Sequence, residues 1–249
     1  MRFDEDHHVH TYHSKDADPQ ATFEAYLTRA KAIGLKAITF TDHHDIDPAH
    51  PLFRVPIDFD AYFKQALAVQ KTSDITMRIG VEVGYQSHVI TDIKTFIRSH
   101  PFQSVILSIH YLDKKDLYTG EYFKGKTAYE AYEHYFQMCL EAIEQIDDFD
   151  TLGHLDYIGR YSPFPDYQFA QHETTIDRIL KLLIKKQKNL EINTSGFLTQ
   201  QRAYPTHTIV QRYRQLGGTR LILGSDAHRV DALGQFFDRV KLDKTLFKN

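Results

Sequence analysis

The sequence predicts a single α/β domain with about seven parallel strands alternating with helices, closed into a barrel. Three observations carry this expectation. Short apolar runs recur between segments of helical periodicity along the whole chain. Such alternation implies parallel strands joined by right-handed crossovers, with the helices outside. Almost every side chain able to bind metal also falls at the C-terminal end of a predicted strand, the face where βα barrels gather their active sites. At 249 residues, without a linker, a low-complexity segment or a repeat beyond the alternation, one domain of this kind accounts for the chain.

The elements follow in order. The first strand runs from Phe3 to His10. Asp18 and Pro19 are placed to cap and open a helix with Phe23, Tyr26, Leu27 and Ala30 on one face, closed by Gly34. Leu35–Thr41 reads as a buried strand ending at the polar Asp42-His43-His44-Asp45. After a Pro-rich loop, a helix from about Asp58 buries Phe59, Tyr62, Phe63, Ala66 and Leu67. The strand Ile79–Val83 follows, then a short helix near Ile93–Arg98 and the strand Val105–Ile109, which ends at His110. Asp113–Lys126 reads as a long loop of the kind that is functional or mobile. Thr127 and Glu130 form a capping box for a helix with Tyr132, Phe136, Cys139, Leu140 and Ile143 in register, so Cys139 belongs to the core. A weaker strand at Asp150–His154, a loop through Arg160, a helix around Ile176–Leu183 and the strand Leu190–Asn193 come next. The helix Thr208–Leu216, stopped by Gly217-Gly218, leads to the last strand, Arg220–Leu223.

Composition excludes several classes of function. A net charge of -3 argues against a nonspecific nucleic-acid partner. A single cysteine rules out a disulfide framework or a Cys-rich zinc site and fits a reducing cytosol. The charged opening lacks the apolar core of a secretory signal, and no apolar run reaches the roughly 18 residues needed to span a bilayer. A soluble cytoplasmic protein is expected.

The 15 histidines are informative through their positions. His8 and His10 share one face of an extended strand and offer half of a metal site. His43, Glu82, His110, His154, Asp226 and His228 add donors at other strand ends. Imidazole with carboxylate suits zinc, iron or manganese, and these donors exceed what one ion uses, so two or three divalent or trivalent ions are expected with a carboxylate such as Glu82 bridging. Neighbouring ions can hold a hydroxide at neutral pH and neutralise a phosphoryl group, which makes phosphate-ester hydrolysis the leading reaction class. His50, His88, His100, His134, His172 and His207 fall in helices or loops and need no functional role. His7 points away from its neighbours.

The series Asp6-x-His8-x-His10, Thr41-Asp42-His43, Glu82 after Gly80, His110, His154 and Gly224-Ser225-Asp226-Ala227-His228 resembles the motifs of the PHP (polymerase and histidinol phosphatase) superfamily across essentially the whole chain. Gly153–Tyr161 resembles its histidinol-phosphatase branch. The resemblance implies a distorted (β/α)7 TIM-like barrel over residues 1–249. It implies one ion on His8, His10, Glu82 and Asp226, a second on Glu82, His110 and His154, and a third near His43 and His228. Many relatives carry a further His where this chain has Asp16, which becomes an oxygen ligand in its place, with His13 a rival and His44 behind the ligands. Asp6 becomes a carboxylate that orients an imidazole.

The implied function is a phosphomonoesterase acting on a small molecule, L-histidinol phosphate of histidine biosynthesis, through a metal-bound hydroxide. Asp226, His228 and Arg160 form the catalytic set. Arg160 clamps the phosphate with its planar fork, the alternative being a surface ion pair with a nearby Asp. Tyr111, Tyr161 and Phe197 line the pocket for the imidazole ring. A PHP-type protein-tyrosine phosphatase, a nuclease, and a binding module without catalysis are the competing readings.

Overall fold

In the computed structural model, which describes residues 4–240, apolar strands alternate with amphipathic helices as the sequence pattern requires. The strands are β1 (Glu5–Val9), β2 (Ala37–Phe40), β3 (His43–Asp45), β4 (Thr76–Gly84), β5 (Ser104–Ser108), β6 (Tyr111–Leu112), β7 (Lys115–Asp116), β8 (Thr151–Leu152), β9 (Asn189–Asn193) and β10 (Leu221–Gly224). The helices are α1 (Phe23–Ile33), α2 (Phe59–Gln70), α3 (Ile90–Ser99), α4 (Ala128–Gln145), α5 (Phe169–Lys185) and α6 (His207–Gln215). Phe3, where the first strand is predicted to begin, lies outside the described residues.

The sheet order is β1-β2-β4-β5-β8-β9-β10, and every neighbouring pair in it is parallel. β3 continues β2 along the same edge of β4: Phe40 stands opposite Ile79 and His43 opposite Glu82, so the two short strands make one interrupted stave. Seven staves result, in agreement with the expected (β/α)7 count. A parallel bridge between Val9 and Ala227 closes the ring, with the Asp226 N–H donating to the His8 carbonyl at 2.9 Å and the His10 N–H to the Ala227 carbonyl at 2.9 Å.

Helix ends are where sequence and structure differ most. Asp58 and Thr127 cap their helices as expected, and Thr127 with Glu130 closes a full capping box. Asp18 does not cap α1. Its carboxylate accepts the Gln20 N–H in a local turn, its own N–H donates to the His228 carbonyl, and Thr22 takes over the cap with its hydroxyl on the Ala25 N–H. Asp113–Lys126 is not an open loop either: β7 within it pairs with β6 just before it as a small antiparallel ribbon, and Leu117, Tyr122 and Phe123 are buried. That burial fixes the segment over one side of the barrel mouth. Cys139 is buried in the core, as expected. Among the described residues no helix is long and apolar enough to cross a membrane.

Asp6 on β1 joins the closing seam. Its buried carboxylate accepts the Ser225 N–H at 2.9 Å, the Gly234 N–H at 2.9 Å and the His8 N–H at 3.3 Å, while burial raises its pKa to about 6. Asp6→Ala orphans these donors at the cost of relieving a desolvated acid; a net loss of about 1–3 kcal/mol is expected, read from urea unfolding of chelator-treated protein.

His44 stacks on Phe96, with ring centroids 3.5 Å apart, and burial lowers its pKa to about 4. A depressed imidazole pKa contributes stability that is present above the unfolded value of about 6.5 and lost as pH falls towards 4. His44→Phe is expected to lose less melting temperature between pH 7 and pH 5 than the parent protein.

Candidate metal and active site

Five imidazoles surround one carboxylate at the C-terminal face of the barrel. Glu82, at the end of β4, is almost fully buried, and its Oε2 lies 3.2 Å from His8 Nε2, 3.5 Å from His10 Nε2 and 2.9 Å from His43 Nδ1. Its Oε1 lies 3.3 Å from His110 Nε2 and 2.9 Å from His154 Nε2, and accepts the Ser108 hydroxyl at 2.6 Å. Asp226 faces the same point from the opposite wall, with Oδ1 3.2 Å from His10 Nε2 and 3.6 Å from His8 Nε2. It sits at φ 53, a strained conformation for a residue other than Gly, two residues past the end of β10. Asp16 closes the outer side, 3.2 Å from His228 Nε2 and 3.6 Å from His43 Nε2.

The rings are held so that lone pairs point inward. His8 Nδ1 is 2.7 Å from Glu191 Oε1, which assigns the proton to Nδ1 and leaves Nε2 free to coordinate. His110 Nδ1 is likewise 3.0 Å from Asp45 Oδ1. His10 Nδ1 is 3.3 Å from Ser14 Oγ, whose own hydroxyl donates to the buried Asp42. These carboxylates need space, and glycine supplies it. A Cβ on Gly224 would overlap Glu191 Oε1, and one on Gly84 would overlap Asp45 Oδ1.

Burial opposes charge throughout this cluster, yet at His8, His43, His110, Glu82 and Asp226 the fields of oppositely charged neighbours outweigh it. Glu191, Glu82 and Asp226 hold the His8 pKa well above its usual value. Asp45 and Glu82 raise that of His110 to about 10, and Asp16 and Glu82 raise that of His43. Against the same burial, His8, His110 and His43 hold Glu82 well below the carboxylate range; His8, His10 and His228 do the same for Asp226. His10 is pushed well below its usual value by burial and by His228 and His43.

The donor set fits metal ions. Glu82 Oε2 and His43 Nδ1 face each other at 2.9 Å but out of hydrogen-bonding alignment, buried polar atoms whose lone pairs a metal ion could take up. Ligand atoms lie within 4.8 Å of one another in three groups: His8 with His10 and Glu82, His43 with Glu82 and His110, and His10 with His43 and His228. The imidazole and carboxylate chemistry suits zinc, iron or manganese.

The model of the PHP domain family matches residues 6–195. The chain belongs to the PHP domain family. A histidinol-phosphatase of Lactococcus lactis subsp. lactis is 32% identical over 228 residues, which cover 90% of this chain and 83% of that protein. The crystal structure of histidinol phosphate phosphatase from the same bacterium, complexed with zinc, L-histidinol and phosphate, aligns with TM-score 0.80 at 30% identity, over 98% of this chain and 90% of that one. A Listeria monocytogenes structure at 19% identity and TM-score 0.79, covering 95% of this chain and 100% of that one, shares the fold.

Within this PHP barrel, His8, His10, Asp16, His43, Glu82, His110, His154, Asp226 and His228 meet in one cluster. Arg160 lies beside it in a cavity of about 410 Å³ that Tyr161, Ser195 and Arg229 also line. It makes no ion pair among the described residues; its Nη1 reaches the Ser195 hydroxyl at 3.4 Å, and its guanidinium lies 5.8 Å from the Tyr157 ring centroid. Tyr111 and Tyr161 line an adjoining cavity, whereas Phe197 lies in neither: a 3-10 turn over Thr194–Leu198 carries it to a separate depression beside Arg239. His13 contacts Gln65, and His44 lies in the aromatic cluster, so neither joins the donors.

Asp6 orients no imidazole: its carboxylate is taken up by the backbone N–H groups of His8, Ser225 and Gly234 and by the Ser225 side chain. Glu191, Asp45 and the Ser14–Asp42 relay hold that role and carry no distinguishing spacing. The one legible sign was an acidic residue inside the apolar run Leu190-Glu191-Ile192. Glu191→Ala is expected to leave the far-UV spectrum unchanged and lower metal affinity about 10- to 100-fold, read by elemental analysis after dialysis against graded chelator.

Proposed function

We propose that this chain is a metal-dependent phosphomonoesterase whose substrate is L-histidinol phosphate, converted with water to L-histidinol and phosphate in histidine biosynthesis. The observation that carries the reading is the cluster of five imidazoles about Glu82 with Asp226 opposite and an unpaired arginine beside it. The likeness to a histidinol phosphate phosphatase solved with zinc, L-histidinol and phosphate supports the choice of substrate.

His8, His10, Glu82 and Asp226 would hold one ion. Glu82, His110 and His154 would hold a second, and Asp16, His43 and His228 a third. Ions bound there supply Lewis acidity, lowering the pKa of water and neutralising phosphoryl charge. The protein's own groups then define the direction of attack. Arg160 offers a planar fork to two phosphate oxygens and is oriented by the Ser195 hydroxyl and the Tyr157 face. Asp226, whose Oδ2 is 3.2 Å from Ser195 Oγ, accepts a hydrogen bond from the attacking water and aligns it opposite the leaving oxygen. His228 is fixed through Nδ1 on the Asp226 backbone carbonyl at 3.0 Å, which keeps its Nε2 turned to Asp16 and the third group of donors. Tyr161 stands between the phosphate cavity and the adjoining one, and Tyr111 lines the latter, where the ring of the leaving alcohol would lie.

His10→Ala and Asp226→Ala are each expected to abolish turnover of histidinol phosphate while the protein stays folded. Arg160→Ala is expected to lower kcat/KM by about 100-fold with metal content unchanged. Steady-state kinetics alongside circular dichroism and metal analysis read all three outcomes. Near-normal turnover in either of the first two variants sinks the proposal, and a preference for a phosphodiester over every monoester redirects it to the nuclease reading.

A further inference from the structure

The contacts made by the Arg160 side chain itself are long. Its Nη1 reaches the Ser195 hydroxyl at 3.4 Å, and its guanidinium lies 5.8 and 5.7 Å from the Tyr157 and Tyr161 ring centroids. The direction of the fork is therefore set by the backbone that presents it, the 3-10 turn over Tyr157–Arg160. One such turn is weak on its own, because its hydrogen bonds are poorly aligned. Asp156 stands at the N-cap of the turn yet makes no capping bond; its fully buried carboxylate points elsewhere.

That carboxylate meets a second loop. Arg202 donates from Nη1 to the two Asp156 oxygens at 3.2 and 3.1 Å, and from Nε and Nη2 to the Asp166 oxygens at 2.7 and 3.0 Å. Asp156 and Asp166 bracket the loop that carries Arg160, so one guanidinium closes both of its ends. The Thr206 N–H at 3.0 Å and the Tyr167 hydroxyl at 2.8 Å complete the shell of Asp156, and the Gln200 amide donates to the Gly159 carbonyl within the turn itself. Glycine at 159 allows this approach: a Cβ there would stand 3.0 Å from the Gln200 amide and 3.1 Å from Arg202 Nη2. Asp156 and Arg202 both stand outside the phosphate cavity. Their influence on a bound phosphate must pass through the turn.

We infer that Arg202 is a positioning residue, which closes the loop from Asp156 to Asp166 and so aims the Arg160 fork at the phosphate. This rests on the phosphomonoesterase reading and deepens it, since phosphate affinity then depends on a charge pair beyond the cavity. With the ends joined, the freedom of the loop is already lost when the protein folds. Without that closure the freedom is lost on binding instead, and affinity falls. The fork is essential to the device. A planar guanidinium reaches two carboxylates along fixed directions, whereas an ammonium is a single point charge.

The test is a double-mutant cycle on metal-loaded protein. Arg202→Lys keeps the positive charge that the buried Asp156 needs but cannot hold both carboxylates, and it is made in the parent and in Arg160→Ala. Turnover of histidinol phosphate and 4-nitrophenyl phosphate is measured, together with the dissociation constant of inorganic phosphate. In the parent, Arg202→Lys is expected to lower kcat/KM about 10-fold on both esters and to weaken phosphate binding about as much, and in Arg160→Ala to change each less than about twofold. Metal content and the far-UV spectrum should not move. Asp166→Asn, which opens the partly exposed end of the loop and leaves Asp156 paired, is expected to repeat the pattern at about threefold, and it decides the question if Arg202→Lys does not fold. An equal fall in both backgrounds marks the pair as structural only and overturns the inference. So do phosphate affinity and kcat/KM that stay unchanged in both variants. A parent that binds phosphate but hydrolyses no monoester overturns the phosphomonoesterase reading, while the cycle on phosphate affinity still decides the role of Arg202. A parent that binds no phosphate overturns both.

Discussion

A carboxylate that is about 1% exposed and ringed by five imidazoles is the constraint around which the upper half of this barrel is built. Burying Glu82 as an anion among apolar strands would be prohibitive without compensation. The compensation comes from five side chains on four different segments: His8 and His10 at the end of β1, His43 on β3, and His110 and His154 just past β5 and β8. A parallel barrel is the architecture that brings such ends to one point, because each stave contributes its terminus to the same rim. The fold and the charge cluster therefore explain each other. The strands deliver the donors, and the donors make a buried acid tolerable.

The second layer explains why the rings point inward. A neutral imidazole has one lone pair and one N–H, and the N–H must go somewhere. Glu191 and Asp45 take it from His8 and His110, and Ser14, backed by Asp42, takes it from His10. Glu191 does more: its other oxygen accepts the His154 N–H at 2.7 Å, so one fully buried carboxylate positions a ring on one stave and the backbone of another. Gly224 and Gly84 sit where these carboxylates approach the neighbouring strand, because a methyl group would occupy the space an oxygen needs. Packing, tautomer and donor direction are one arrangement.

The donors were legible in the sequence because residue type and strand-end position coincide in them, and strand ends are visible wherever an apolar run stops at a polar residue. Their supports were not. Glu191 finds its partner His8 across 183 positions, and nothing local separates an acid facing the barrel interior from one facing a crossover helix. Asp42 looked like a strand boundary, and is in fact the buried acceptor that ties Thr11 and Ser14, just past β1, to the end of β2. Asp6, two residues before His8, invited the role of orienting an imidazole; extended geometry instead turns its carboxylate to the closing seam. Phe197 fails for a related reason. It follows a strand end, but the tight turn after Asn193 rotates successive side chains by about a third of a circle and carries its ring out of the mouth. Strand-end position selects candidates well only when the next residues stay extended.

The interrupted stave gives this barrel its asymmetry. Where an unbroken second strand would continue past Phe40, the chain leaves the ladder at Thr41 and Asp42 and rejoins β4 at His43 opposite Glu82. That break lets His43 enter the cluster and lets Asp45, two residues on, reach behind His110. It also starts the wall formed by His50, Leu52 and Phe53, which faces the β6–β7 ribbon across the adjoining cavity. Neither wall belongs to the sheet. One is the insertion after β3 and the other the insertion after β5, so residues there can change without disturbing the staves that carry the donors. The rim can therefore hold hydrolytic chemistry fixed while the two insertions set what is attached to the phosphate.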